Sequence, residues 1–475
     1  MRTIEADYLV VGAGAMGMAF IDTLVSETEA RVVVVDRHHA PGGHWTMAYP
    51  FVRLHQPSAF YGVNSARLGS DTIDQVGWNH GLYELATAGE ICAYYERIMR
   101  REWLPTGRVS YFPMSEYRGQ CRGEGRFRTL AGAEYTVRVT RRVVDATYMR
   151  VTVPAMRRPP YEVADGIGCV PPNDLPWLAA RERYVVVGAG KTGIDTCLWL
   201  LSHGVGPDRL TWIMPRDSWL LDRETMQPGT LFADKLKASF TAQLRAIKDA
   251  ATVQDLFAHL ENAGVLLRVD PAVRPAMYRC ATVTRLELEQ LRRITDVVRM
   301  GHLLAIEADR MVLEGGPVAV GGDELYIDCT ADGAEKRPAT PIFDAGDITL
   351  QSVRGCQQIF SAALIAHVEA AYPDDAVKNE LCVPLPHPDT DVDWLRLAQA
   401  DYSNQLRWFD DPELMSWLAA ARLDLFGHLI GHLLPSGTAK PRVRMRILSI
   451  AKSVFAATAA KLDQLMAAEA ALAAP

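Results

Sequence analysis

The chain has 475 residues, 49% of them hydrophobic and 23% charged, which is the balance of a globular protein with a large core and not of a disordered or fibrous one. That length favours two or three domains, and a formal net charge of -7 gives no electrostatic reason to expect nucleic acid, because a phosphate backbone needs a concentrated basic face. Eight cysteines without a C-x-x-C pair argue against zinc and against a disulfide framework, so no metal is expected and the thiols are read as reduced and buried.

The amino-terminal apolar run is interrupted by glycine before it could serve as a signal or membrane segment, which points to a cytoplasmic protein. Tyr8 to Val11 reads as a buried strand and runs directly into Gly12, Gly14, Ala15, Met16 and Gly17, with a helix predicted from Ala19 to Val25. The first glycine permits the tight turn, the second lets backbone N–H groups approach a pyrophosphate, and the third lets helix and strand pack closely. The positive end of the helix then faces the anion. A second strand, Arg31 to Val35, ends at Asp36, 19 residues after Gly17, where a carboxylate can accept hydrogen bonds from a ribose. The unit is a nucleotide-binding one.

The pattern repeats in mid-chain: strand Tyr184–Val187, glycine loop Gly188, Gly190, Lys191, Thr192 and Gly193, then an apolar-patterned helix from Ile194 to Ser202. Its second strand, Leu210 to Met214, leads to Arg216, whose charge suits a ribose phosphate and leans towards NADPH over NADH. The alternative is a solvated arginine beside Asp217, and Lys191 either neutralises a phosphate or points to water.

Residues 231–247 and 252–263 show helical spacing and form an insertion that shapes or covers a substrate site. Strands over 299–312 and 323–329 are expected to return the chain to the first unit. Pro384, Pro386 and Pro388 mark a linker, followed by helices over 394–405, 412–434 and 443–472. Lys440, Arg442, Arg444 and Arg446 read as a solvated face in preference to a membrane-docking one.

At this point the chain resembles the flavin-containing monooxygenases and their relatives among two-dinucleotide-domain flavoproteins. The resemblance is carried by Asp36 and Arg37 followed by Gly42, Gly43, His44 and Trp45, by Val143–Thr147 and Tyr326–Gly333 as the strands between domains, and by Phe343–Asp347 before an apolar helix. It implies an α/β fold of two Rossmann-like dinucleotide-binding domains, for FAD and NAD(P)H, with a helical insertion and a C-terminal helical region. The FAD domain is expected at 1–160 and 300–385, the NAD(P)H domain at 181–299 and the terminal helices at 386–475. Gly12 to Gly17, Asp36, Arg37, Gly43, His44, Trp45 and Asp347 would contact FAD, the last at its ribityl chain.

The implied activity is NAD(P)H-dependent oxygenation of a small organic substrate by O2 through a flavin peroxide. Gln56 falls where the family holds an amide beside the peroxide, and His55 is the neighbouring candidate for proton handling. The thiol relay of related disulfide reductases is set aside for want of closely spaced cysteines. The family's phenylalanine-glycine-histidine signature is absent from Tyr161–Pro172, which keeps open an FAD-dependent oxidase or reductase without oxygen insertion. A nucleotide sensor without turnover is the more remote reading.

Overall fold

The computed structural model describes residues 2–121, 123–331, 333–425, 427 and 441–473. Strand Arg2–Val11 leads through the first glycine turn into helix α1 (Ala15–Glu27), and Val32–Val35 returns beside the strand in parallel, Tyr8 against Val32 and Val11 against Val35. Four consecutive valines with every side chain buried suit a strand covered on both faces. Helix α2 (Ala88–Arg97) begins at a capping box between Thr87 and Glu90, and Val109–Phe112 then joins the outer side of Val32–Val35. Glu134–Asp145 pairs with the opposite side of the first strand, and Asp347–Thr349 pairs beyond it. The order therefore reverses at Arg2–Val11, which makes the carboxyl end of that strand a topological switch point.

The second unit repeats this plan. Arg183–Val187 runs into helix α3 (Lys191–Ser202), with Leu210–Ile213 and Asp296–Val298 on one side and Glu324–Asp328 and Cys169–Val170 on the other, all parallel. Between these strands lie helices α4 (Ala233–Asp249), α5 (Val253–Asn262) and α6 (Arg285–Leu291), and a small sheet in which Ser218–Asp222 pairs with Met277–Val283. The helical insertion read from the sequence is present in both its helices.

The expected return at residue 300 is corrected. Strands Leu303–Ile306, Arg310–Leu313 and Gly316–Ala319 form an antiparallel sheet whose Leu303, Ile306, Met311 and Leu313 pack on Val185, Val187 and Ile213 of the second unit. Glu324–Asp328, buried from Leu325 onward, lies in the second sheet, and the chain rejoins the first at Phe343–Asp344 and Asp347–Thr349. A buried apolar strand satisfies either sheet equally well, so spacing alone assigns it to neither. The two crossovers between the units run side by side, with Val151–Thr152 paired antiparallel to Gly333–Ala334.

Helix α7 (Gln358–Ala371) packs with α1 in one core, Phe360, Ala363 and Leu364 joining Phe20, Ile21 and Leu24. Helices α8 (Asp375–Leu381), α9 (Asp391–Trp408), α10 (Pro412–Ala420) and α11 (Pro441–Ala473) follow. The expected 412–434 helix stops at Ala420, where Ala421 turns extended, and its part over 428–434 lies outside the described residues, as does Lys440. Among the described residues no helix is long and apolar enough to cross a membrane.

Both glycine turns depend on contact without side chains. A Cβ on Gly17 would sit on the carbonyl oxygen of Gly12, and one on Gly193 on that of Gly188. Gly17→Ala and Gly193→Ala are each expected to lower stability by about 1–3 kcal/mol through overpacking. Urea titration checks this, and midpoints equal to that of the parent chain would refute it.

Candidate functional site

The carboxyl ends of the two central strands open on one cavity of about 1190 Å³. From the first unit it is lined by Val11, Gly12, Gly14, Ala15 and Met16, and from the second by Gly190, Lys191 and Thr192. Gly14 and Gly190 are the N-caps of α1 and α3, and neither helix start receives a side-chain cap. The first intrahelical bonds are made by the N–H groups of Met18 and Ile194, so the amides before them face the cavity end without intrahelical partners. Each helix start is thus a set of donors at the positive end of a dipole, suited to a phosphate.

The first rim has the shape a dinucleotide needs. Gly12 holds φ +105 and Gly43 φ +58, and a Cβ on Gly43 would stand 3.0 Å from the Cα of Gly14, so the two backbones approach as only glycines allow. Asp36 is buried at the end of its strand, its carboxylate accepting from the amides of Ala13 at 2.5 Å and His38 at 2.6 Å. Oδ1 also meets the His38 Nδ1 at 2.9 Å, so it is Oδ2 that keeps a lone pair for a ribose hydroxyl. Arg37, His44 and Trp45 also line the cavity, and the Trp45 indole donates to the Tyr61 hydroxyl at 2.5 Å.

Among the charged and polar groups that line the cavity, two histidines are held neutral by burial. Burial, helped by the charge of His38, pulls the His44 imidazole down to about 4, and burial with the charges of Lys191 and Arg223 pulls His55 down to about 3. The Nδ1 of His55 is buried without a hydrogen-bond partner, and Gln56 stands beside it on the cavity wall. The Lys191 ammonium, on the cavity lining, donates to Asp195 at 2.5 Å, and the Tyr49 hydroxyl donates to the same carboxylate at 2.7 Å. That shared carboxylate ties the first unit to the second.

Most of the residues singled out in the sequence meet at this cavity, and Gly17, Gly188 and Gly193 support it from behind by close packing. Two do not. Asp347 begins its strand opposite Val143, two residues short of the end that meets Asp145, and its carboxylate accepts both hydrogen bonds of the Gln120 amide at 2.7 and 2.8 Å. It is not among the cavity-lining residues, since it opens the strand Asp347–Thr349 and the cavity is lined from the other end of that sheet. Arg216 is likewise absent from the lining and makes a two-pronged bond to Asp389, at 3.0 and 3.1 Å, which also accepts from Arg279 and Lys336 at 2.7 Å each.

Sequence reasoning missed the far wall. Phe240 and Gln243 of α4, Trp394 and Tyr402 of α9 and Phe455 of α11 enclose the cavity away from the glycine loops. Their only sequence signal is helical spacing, which marks core and cavity lining alike. The expectation of unpaired thiols is also corrected: Cys280 and Cys356 form a disulfide across 76 residues, with Cα atoms 6.6 Å apart. The pairing is made by the fold, which brings strand Met277–Val283 beside the start of α7, and no local spacing announces it.

Residues 10–62 match the family model described as an NAD(P)-binding Rossmann-like domain. An uncharacterized protein of Mycobacterium tuberculosis is 64% identical over 449 residues, covering 94% of this chain and 82% of its own length, and a Mycobacterium bovis protein matches with the same figures. The chain belongs to this mycobacterial family. Among solved structures, the family's fold aligns with an open cyclohexanone monooxygenase over 80% of this chain and 92% of that one, at 15% identity and a TM-score of 0.48. An NADP-bound oxidized steroid monooxygenase aligns over 77% and 85%, at 14% identity and 0.49, and a flavin-containing monooxygenase from Stenotrophomonas maltophilia over 74% and 87%, at 16% and 0.39.

The depressed histidines set a pH dependence. Their folded values lie below the unfolded value of about 6.5, so below that pH the unfolded chain binds protons that the folded chain refuses. The contribution is complete above about pH 6.5 and is lost as the pH falls towards 4, at no more than about 1.4 kcal/mol per pH unit for each group. Denaturation curves between pH 4 and 7.5 should show a shallower acid slope for His55→Gln than for the parent. Identical slopes would contradict the buried, neutral state of His55.

Proposed function

We propose that the chain is an FAD-dependent, NAD(P)H-using monooxygenase of small organic molecules. The observation that carries this reading is that two uncapped helix starts, each behind its own glycine turn, open on one cavity. A cofactor on one loop and a nucleotide on the other then share a single enclosed space, as direct electron transfer between them requires. FAD bound there would supply the redox chemistry between NAD(P)H and O2.

The chain's own residues bind, orient and dry the site. The α1 amides and Gly14 would hold the FAD diphosphate and Asp36 a ribose, with Gly43, His44 and Trp45 as further residues that would contact the cofactor. Together with the strand-turn-helix order these positions follow the flavoprotein pattern that the sequence resembles. The α3 amides, with Gly190, Lys191 and Thr192, hold the NAD(P)H diphosphate. Because Arg216 is occupied by Asp389, it meets a ribose phosphate only by exchanging that partner, and NADPH is the proposed donor with NADH as its alternative. The FAD unit comprises the first sheet with α1 and α7, and the NAD(P)H unit the second sheet with its insertion.

Gln56 and His55 are the polar groups offered to the reacting centre. Gln56 both donates and accepts, and His55, neutral and with a free buried Nδ1, can hold or move one proton at that atom. The aromatic wall of Phe240, Trp394, Tyr402 and Phe455 excludes water and favours an apolar organic substrate.

Two measurements test the reading. Mixing the yellow protein with NADPH or NADH under air should bleach the flavin, with substrate-dependent oxygen uptake and little hydrogen peroxide. Stoichiometric peroxide at once would mark an oxidase instead. Gln56→Leu should raise peroxide release severalfold while leaving bleaching intact, and an unchanged release would remove Gln56 from the assigned role.

A further inference from the structure

The cavity wall contains a feature that oxygenation does not use. Cys280, in the strand Met277–Val283, and Cys356, just before α7, are disulfide-bonded, and both line the same cavity as the two glycine loops. Each holds a left-handed backbone, φ +55 and φ +53, which is uncommon for residues other than glycine. Two such positions facing each other across 76 residues mark a site where the backbone is bent to aim both sulfurs at one point.

The surroundings favour reaction at these sulfurs. Cys356 immediately precedes Gln357, the N-cap of the 14-residue α7, and the positive end of that helix stabilises a thiolate there. The Gln357 side chain also lines the cavity, its oxygen accepting from the Leu425 amide at 3.0 Å while its Nε2 is buried without a partner. An unused donor thus belongs to the residue that follows Cys356. Cys92, Cys169, Cys197, Cys329 and Cys382 are unpaired, and burial pushes each of their thiols up, which makes them poor nucleophiles.

We propose that Cys280 and Cys356 form a second redox centre, a disulfide that accepts an electron pair entering the cavity from NAD(P)H. The inference rests on the proposed function for the entry of those electrons. In the net step one NAD(P)H and one proton are consumed, the S–S bond breaks, two S–H bonds form, and NAD(P)+ is released. Reduction also cuts the covalent tie between the Met277–Val283 strand and the start of α7. The chain then stores four electrons, two on FAD and two on the cysteines, in place of two.

The test is an anaerobic titration of the FAD-loaded protein with NADPH, followed by alkylation with a mass tag and peptide mapping. Two equivalents of NADPH should be consumed per flavin, and both Cys280 and Cys356 should become tagged only after reduction. A Cys280→Ser/Cys356→Ser double variant should take up one equivalent with bleaching retained. Should that variant fail to fold, the tagging of the parent protein decides alone. Full bleaching with one equivalent and an untagged pair overturns this centre while leaving the proposed function in place, and tagging of both cysteines before any NADPH is added overturns it equally. Absence of bleaching overturns both.

Discussion

Everything in this molecule is arranged around two sets of backbone amides that no side chain caps. A helix start left in that condition is stable only where solvent or an anion can satisfy its donors. Here both starts open on one cavity, at the switch points of two parallel sheets. The glycines serve this end by removing every atom that would separate loop from helix or loop from loop. Gly17 against Gly12 and Gly193 against Gly188 are the tightest examples, and Gly43 against Gly14 brings a second backbone to the place where a diphosphate would lie.

The rest of the chain closes the space. The two crossovers pair with one another, Tyr49 and Lys191 share Asp195 across the units, and α4, α9 and α11 supply an aromatic wall. The insertion and the terminal helices, which a minimal pair of nucleotide-binding units does not need, therefore give the cavity its depth and its apolar character. Under the proposed function, substrate choice belongs to that wall and the redox chemistry to the rims.

Much of this was legible in residue order because the dinucleotide turn is a local device. Strand, three glycines, helix and a following acid lie within about thirty residues, and each has a steric reason that needs no knowledge of the remainder. The non-local parts were not legible. A buried strand such as Glu324–Asp328 fits either sheet, and the structure places it in the second where its spacing had pointed to the first. The partners of Asp347 and Arg216 are of this kind: Gln120 lies 227 residues from the first and Asp389 lies 173 residues from the second. The Cys280–Cys356 bond is of the same kind, created by the meeting of two elements whose separation in sequence carries no signal.

The central claim is that the amides at the start of α1 hold the diphosphate of FAD. Isothermal titration of the flavin-stripped chain with FAD, beside a Gly14→Asp variant that sets a carboxylate at that helix start, tests it most directly. The account predicts one FAD bound per parent chain and a loss of affinity of at least about a hundredfold in the variant, more than about 2.7 kcal/mol. Equal affinity in the two proteins, or no heat of binding from a folded parent chain, would contradict it.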